Sequence, residues 1–381
     1  MKKMTFLFLM LFAFRSLASE YIEPFQTTRM LGMGGVYVFA SDDAASLYQN
    51  PGYSCFTKGM NWSIMNINVG LVSNGNPTNP LQAANDNLQN IQNVRSLSGL
   101  GSLYGNNQWF TAQGFSTLTF PCFGIGAFYT GYGDLTLHGP SYPTIQTLVN
   151  IDNGFVVGGA IPLNEHVALG MNVKRISRSS VDQPIGVDTL AGFSGSMNLQ
   201  TTLQNLESSG IGYGLDAGLV ARMSDQPLNP TVSLSWRDLG DTAFQLTRGT
   251  LTPPAQKNDL VMGMTVDGSI PLLGFSAGLE YRHITDANTE LGQKIHMGVE
   301  ANLAFLDVRA GLYQGYLTYG AGFDLWLLNF DVASYAVERG FYPGQTPDQR
   351  IQAAVTLQLS LDPDFHIVNT DGGRRRLKQR R

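Results

Sequence analysis

In residues 351–361, IQAAVTLQLSL, the odd positions Ile351, Ala353, Val355, Leu357, Leu359 and Leu361 are all apolar, while Gln352, Ala354, Thr356, Gln358 and Ser360 between them are polar or small. The same period of two recurs in HVALGMNVKRI, where Val167, Leu169, Met171 and Val173 oppose Ala168, Gly170, Asn172 and Lys174. It recurs again in KIHMGVEAN, where Ile295, Met297, Val299 and Ala301 oppose His296, Gly298, Glu300 and Asn302. Successive side chains of a strand point to opposite faces, so such segments are pleated strands with one wholly apolar side. A soluble sandwich also alternates, but its apolar face is the inner one.

The connections separate these two architectures. Fourteen segments alternate, near 60–73, 107–120, 123–137, 152–161, 166–178, 210–223, 230–239, 259–267, 274–284, 293–302, 306–315, 318–327, 329–339 and 350–361. Tight turns at 121–122, 162–165, 224–229, 268–273, 303–305 and 328 alternate with mostly longer connections at 74–106, 138–151, 179–209, 240–258, 285–292 and 340–349. Short turns on one rim and long loops on the other belong to bacterial outer-membrane barrels. Composition agrees: 14% of residues are charged, with 43 Gly, 21 Phe and 15 Tyr, against about 25% charged in soluble domains. The expected fold is therefore all-β, a fourteen-stranded antiparallel transmembrane β-barrel.

The opening residues agree with that compartment. Lys2 and Lys3 precede an apolar run from Thr5 to Phe14, then small residues with Ser16 and Ala18 at −3 and −1 of a cleavage site. This is a secretory signal peptide over 1–18, too short to span roughly 30 Å of hydrocarbon as a helix. The expected divisions are 1–18, an N-terminal hatch over 19–58, the barrel over 59–361 and a basic periplasmic tail over 362–381 that ends in RRRLKQRR. The tail, on its own, reads as a solvated end or a contact for an acidic partner.

Opposite the apolar stripe lie many glycines, with Lys174, Asp216, Glu280, Arg282, Glu300, Arg309 and Asp324 among them. On the lipid side each charge would cost about 2–4 kcal/mol near the midplane, so these face the lumen. About eight strands already make a wall that side chains can fill, so fourteen leave space for an occupant. The segment before the first strand, on the periplasmic side beside the lumen entrance, is the expected one. Its glycines imitate a dinucleotide loop, yet only Gly32 and Gly34 fit G-x-G-x-x-G, and the third position is Tyr37. Gly32, Gly34 and Gly35 instead suit close packing. Ser41 or Asp42 is expected to cap a helical turn through Ala44–Tyr48, with Asp42 and Asp43 at its positive end. Asn50, Pro51 and Gly52 are expected to stop it as a turn.

The stretch LGMGGVYVFASDDAASLYQNPG resembles the N-terminal signature of the FadL-type long-chain fatty acid transporters, with Gly52 where that family has Ala. The resemblance implies a hatch inserted into a fourteen-stranded barrel; the expected function is passive uptake of a hydrophobic, fatty-acid-like small molecule caught at the outer loops, with outer-membrane lipid around the barrel. The broader group includes shuttle porins of type IX secretion, so a structural barrel docking a periplasmic or secreted protein partner is the competing expectation. Two apolar-faced helices are expected in the outer loops, over 79–95 and 190–206, as a groove for solute or a cover for the mouth. Unlike most such barrels, the chain does not end on an aromatic residue.

Cys55 and Cys122 both fall at the periplasmic rim, where a disulfide would fasten hatch to wall. The five histidines are scattered, and neither a HExxH pair nor a nucleophile elbow is present. The expectation is therefore no enzyme, no metal, no cofactor and no nucleic acid.

Overall fold

The computed structural model describes residues 21–37, 45–73, 107–138, 144–186, 189, 199–223, 228–270, 273–303, 305–325, 327–361 and 367–368. The expected signal peptide, Ser41, Asp42 and Asp43, the helix expected over 79–95, all of 190–198 and nearly all of the expected basic tail lie outside them.

The strands are β1 (Met60–Val72), β2 (Asn107–Phe120), β3 (Phe123–His138), β4 (Thr144–Pro162), β5 (Val167–Gly186), β6 (Ser208–Arg222), β7 (Leu228–Arg237) and β8 (Phe244–Arg248). They continue as β9 (Asp259–Ile270), β10 (Leu273–Tyr281), β11 (Ile295–Leu303), β12 (Leu306–Tyr313), β13 (Tyr316–Leu325), β14 (Leu328–Glu338), β15 (Pro347–Leu361) and β16 (Ile367–Val368). All but β8 and β16 form one antiparallel circuit, closed where Met60–Val72 of β1 pair with Leu361–Arg350 of β15. Fourteen strands thus make a closed barrel.

Burial is inverted relative to a soluble protein. On β5, Met171 is 52% exposed and Val173 57%, whereas Asn172 between them is 0% and Lys174 1%. The apolar side faces outward all round, with Ile67, Phe155, Leu215, Met264, Val299 and Phe330 among its exposed members. A closed wall with a hydrocarbon-facing belt spans a membrane without leaving unpaired strand edges, and it is the form of bacterial outer-membrane proteins. Described helices are all too short to cross a bilayer.

The expected outer loop at 138–151 is mostly strand, and the one at 179–209 begins as strand. The connection between β3 and β4 shrinks to 139–143, and β5 runs on to Gly186. Above the membrane neither face meets lipid, so Ser177, Ser179, Ser180 and Asp182 continue the ladder with no apolar stripe to betray it. The wall is consequently uneven: β4 and β5 have 19 and 20 residues, β11 and β12 only 9 and 8. The expected 240–258 loop contains β8, which folds back onto the outer half of β6 while β7 pairs its inner half. The one short outer connection, Gln314-Gly315, has φ of 50° and 88°, the paired positive values of a tight hairpin turn. Of the expected 190–206 helix, the described part is Leu199–Leu206.

Candidate functional site

Residues 21–37 and 45–56 lie against the inner face of this wall, in two parts that are held differently. They carry two short α-helices, α1 (Thr28–Gly32) and α2 (Ser46–Gln49); the second part, the foot, comprises α2 and a 3-10 helix, Pro51–Phe56. The α2 N-cap is Ala45, without a side-chain cap, so the cap expected from Ser41 or Asp42 is not where the described helix starts. Asn50-Pro51-Gly52 opens the 3-10 helix rather than a simple turn. Asn50 Oδ1 accepts from Gly52 N at 3.0 Å, and its amide nitrogen donates to the Leu234 carbonyl at 3.2 Å. Proline at the first helical position needs no donor there.

The wall is hollowed to receive the foot. A Cβ on Gly170 of β5 would sit 2.5 Å from Gly52 N, and one on Gly218 of β6 2.0 Å from Asn50 Oδ1. Only glycine leaves room for backbone this close at Gly170 and for the Asn50 amide at Gly218. Tyr48 stacks on Phe25 at 4.7 Å and meets Phe128 edge-on at 5.8 Å, and its hydroxyl donates to the Ala127 carbonyl at 3.0 Å. At the inner rim Cys55 and Cys122 are joined by a disulfide, and Cys122 N donates to the Ser54 carbonyl at 2.9 Å.

The first part, the arm, contains α1 (Thr28–Gly32), whose N-cap Thr27 accepts from Met30 N. Arg29 grips Glu300 of β11 with Nε and Nη2 at 3.0 and 2.6 Å. Arg309 of β12 also binds Glu300, and reaches Asp307 at 3.0 Å and Asp331 at 2.6 Å. Below the arm another glycine hollow lies on β11–β13. Cβ atoms on Gly298, Gly311 and Gly320 would come within 2.1 Å of Met33 O, 2.4 Å of Gly34 N and 2.9 Å of Gly32 Cα. Gly34 has φ +69° and Gly35 +84°, a left-handed turn open to glycine at little cost. Gly34 N donates to Thr318 Oγ1 at 3.0 Å, and Tyr37 N to Glu280 at 2.6 Å.

The arm does not stop at the periplasmic entrance, where the sequence reading located this segment. It climbs to the outer rim, where Tyr21 donates to the carbonyls of Lys257 and Asn258 at 2.9 and 3.1 Å. Glu23 there accepts from Arg282 at 2.6 Å, and His283 lies 3.3 Å from Glu23 and 3.1 Å from Asp259. Arg237 binds both Asp259 and the Gln49 side chain, and Glu280 holds Arg282 at 2.7 Å. Three carboxylates thus face two guanidiniums and one imidazole. Burial disfavours charge on His283, but the Asp259 and Glu23 carboxylates outweigh it and hold the ring's pKa up at about 9.

The inward charges fall into distinct groups. Glu280, Arg282, Glu300 and Arg309 touch the arm. Lys174 instead joins Asp216 at 2.8 Å and Asp238 at 3.0 Å, bracing wall to wall. Asp324 sits opposite Asn329 at the inner end of the β13–β14 ladder. Glu23, Arg29, Arg237, Asp259, Thr318 and His283 were not singled out in the sequence. Glu23 and Arg29 did carry a signal: two charges inside a segment expected to be enclosed require buried partners.

No family model matches the sequence, and no curated protein does. Solved structures do resemble it. CymD, a monoaromatic hydrocarbon channel, shares 10% identity, with a TM-score of 0.50 over 88% of this chain and 97% of its own. A deltaS2 mutant of TodX, also a monoaromatic hydrocarbon channel, shares 12% with a TM-score of 0.50 over 88% and 99%. TbuX, the toluene transporter of Ralstonia pickettii, shares 14% with a TM-score of 0.48 over 90% and 98%. At such identities the likeness is one of fold.

Proposed function

We propose that this chain is an outer-membrane channel for hydrophobic small molecules, closed by its own N-terminal segment. The observation that supports the reading is a barrel whose inner wall holds a segment reaching from Cys55 at one rim to Tyr21 at the other, through buried apolar clusters as well as ion pairs and hydrogen bonds. An unobstructed lumen of fourteen strands would leak water and ions; a segment held by hydrogen bonds and ion pairs closes it and is able to rearrange when solute arrives. The channels of like fold carry hydrocarbons, according to their descriptions, which favours an apolar cargo here.

The finer reading is a fatty-acid-like amphiphile. Glu23 is a carboxylate seated between Arg282, His283 and, at 3.7 Å, Arg237. A carboxylate head on an apolar solute presents the same group to the same donors and competes with the arm for them. Cells carrying the chain should take up labelled dodecanoate faster than cells without it. Equal rates would end the channel reading. Dodecanoate should also outpace dodecanol; equal rates for the pair would remove the carboxylate preference and leave the channel.

A further inference from the structure

We propose that the low side of the outer rim is a lipid-binding face. Leu291, Phe341 and Tyr342, on two loops locked together above β11–β14, dip into the outer leaflet of the membrane. The proposal goes beyond the channel reading and does not depend on it.

The strands place these loops at the lipid surface. On β5 the outward row changes character part-way: Leu169, Met171 and Val173 are followed by Arg175, Ser177 and Ser179. On β12 and β13 no such change occurs. Taken at every second residue, the outward rows from Leu306 to Leu312 and from Leu317 to Leu325 are wholly apolar, right up to the Gln314-Gly315 turn. β12 has 8 residues; at about 3.3 Å each and a tilt of about 40° they rise roughly 20 Å, no more than the roughly 25 Å of an apolar band. The 20 residues of β5 rise about 50 Å by the same measure. Whatever is built on the β12–β13 turn therefore starts at the level of the lipid headgroups.

What is built there is a tightly bonded platform. Glu338 belongs to the outward row of β14, with Phe330 and Val332 below it. Its carboxylate accepts from the backbone N–H groups of Gly340, Gly344, Gln345 and Thr346 at 2.6, 2.7, 3.0 and 2.8 Å, and from the Tyr316 hydroxyl at 2.5 Å. Gln345 Oε1 accepts from Phe341 N and Tyr342 N at 2.7 and 3.1 Å. The loop is thus wound around a carboxylate on the lipid side of β14. Pro343 closes it onto its neighbours: a Cβ on Gly292 or Gly315 would lie 2.7 or 3.0 Å from the proline ring. Gln293 Nε2 also donates to the Gly340 carbonyl at 3.0 Å, joining the loop before β11 to the loop after β14.

These bonds satisfy the backbone and leave large apolar groups outside. Leu291 is 61% exposed, Phe341 36% and Tyr342 55%. Apolar groups held together at a surface mark a contact with something apolar, and an aromatic ring with a polar tip suits the boundary between acyl chain and headgroup. The partner is the lipid that already surrounds the wall, because the patch is continuous with the belt: Pro343 rests on Gly315, and Leu317, two residues on, is a belt residue.

Cys55 and Cys122 are paired, so a single introduced cysteine takes a thiol-reactive fluorophore alone. Tyr342→Cys, labelled with bimane, is placed in phosphatidylcholine vesicles whose lipid carries a nitroxide near the head of the acyl chain. Its quenching should fall within about twofold of that at Leu317→Cys in the belt, and exceed that at Asp182→Cys on the tall side by about fivefold or more. Quenching at 342 no greater than at 182 would overturn the proposal. A second readout carries no probe. In phosphatidylcholine nanodiscs holding one copy each, hydroxyl radicals should oxidise Tyr342 within about threefold of the rate at Tyr319 of the belt, both rings being withdrawn from water. A rate about tenfold above that of Tyr319 would place Tyr342 in water and overturn the proposal.

Discussion

The foot and the arm are neighbours in sequence and lie against the same inner wall, yet their attachments differ in kind. Three side-chain-free sites, Gly298, Gly311 and Gly320, receive the arm, and two, Gly170 and Gly218, receive Asn50 and Gly52 of the foot. Beyond that the foot has a disulfide, the arm has ion pairs, Arg29 with Glu300 and Glu23 with Arg282, and the stack of Tyr48 on Phe25 joins the two. Apolar and covalent attachment favours the bound state steadily. Buried charge does so conditionally, because each ion strongly needs a partner but accepts water as one. The difference teaches that a single segment can be fastened covalently at one end and by ion pairs at the other.

Filling the glycine hollows gives the largest expected effect and tests whether the two ends are independent. Gly311→Val should expel the arm, where backbone of Met33 and Gly34 blocks the new side chain, and Gly218→Val the foot, where the Asn50 amide and the Pro51 ring do, each at a cost of about 3 kcal/mol. Limited proteolysis should then cut within 21–37 in the first and within 45–56 in the second. Identical cleavage patterns would mean that the segment moves as one body.

Next in size is Glu300→Gln, which leaves Arg29 and Arg309 without their shared carboxylate. Arg309 keeps Asp307 and Asp331 and Arg29 is partly exposed, so the cost falls at the low end of the range of about 3–5 kcal/mol for breaking a buried pair. Hydrogen exchange should quicken in 28–34 and remain slow in 46–54; a uniform increase would break the distinction. Replacing both cysteines with serine should cost about 2–4 kcal/mol, read as a lower urea midpoint in detergent. That loss should fall on the foot, so exchange should rise in 46–54 before 28–34.

The smallest expected effect is that of pH on the outer end of the arm. His283 is raised from 6.5 to about 9 by Asp259 and Glu23 against the penalty of burial. Its contribution is therefore complete below about 6.5 and fades as pH rises through about 9, on the order of 2 kcal/mol. Between pH 7 and 10, exchange at 21–25 should accelerate in wild type. His283→Gln should flatten that profile and leave the foot unaffected; a profile unchanged by the substitution would remove His283 from the arm's attachment.

Much of the fold was legible in the sequence. The segments read at 60–73 and 107–120 are β1, Met60–Val72, and β2, Asn107–Phe120, because contact with lipid imposes period two on every second residue. Legibility ended where lipid ended, in the outer halves of β4 and β5, and in β8. Among the candidate site residues, Gly32, Gly34 and Asn50 sit at tight contacts whose partners, Gly320, Gly311 and Gly218, are 288, 277 and 168 positions away by their numbering. Nothing in either neighbourhood marks which glycine meets which.

The sequence by itself determined how many times the chain crosses the bilayer, which side of each strand meets hydrocarbon, and that the charges must face inward. Those are local consequences of the solvent on either side of a strand, and each residue registers them independently. Only the tertiary structure decided that the N-terminal segment reaches the outer rim, that Arg29 takes Glu300 and Glu23 takes Arg282, and that Lys174 serves the wall instead. Those depend on closure of the barrel, which brings together residues hundreds of positions apart, and the order of residues along the chain carries no record of that distance.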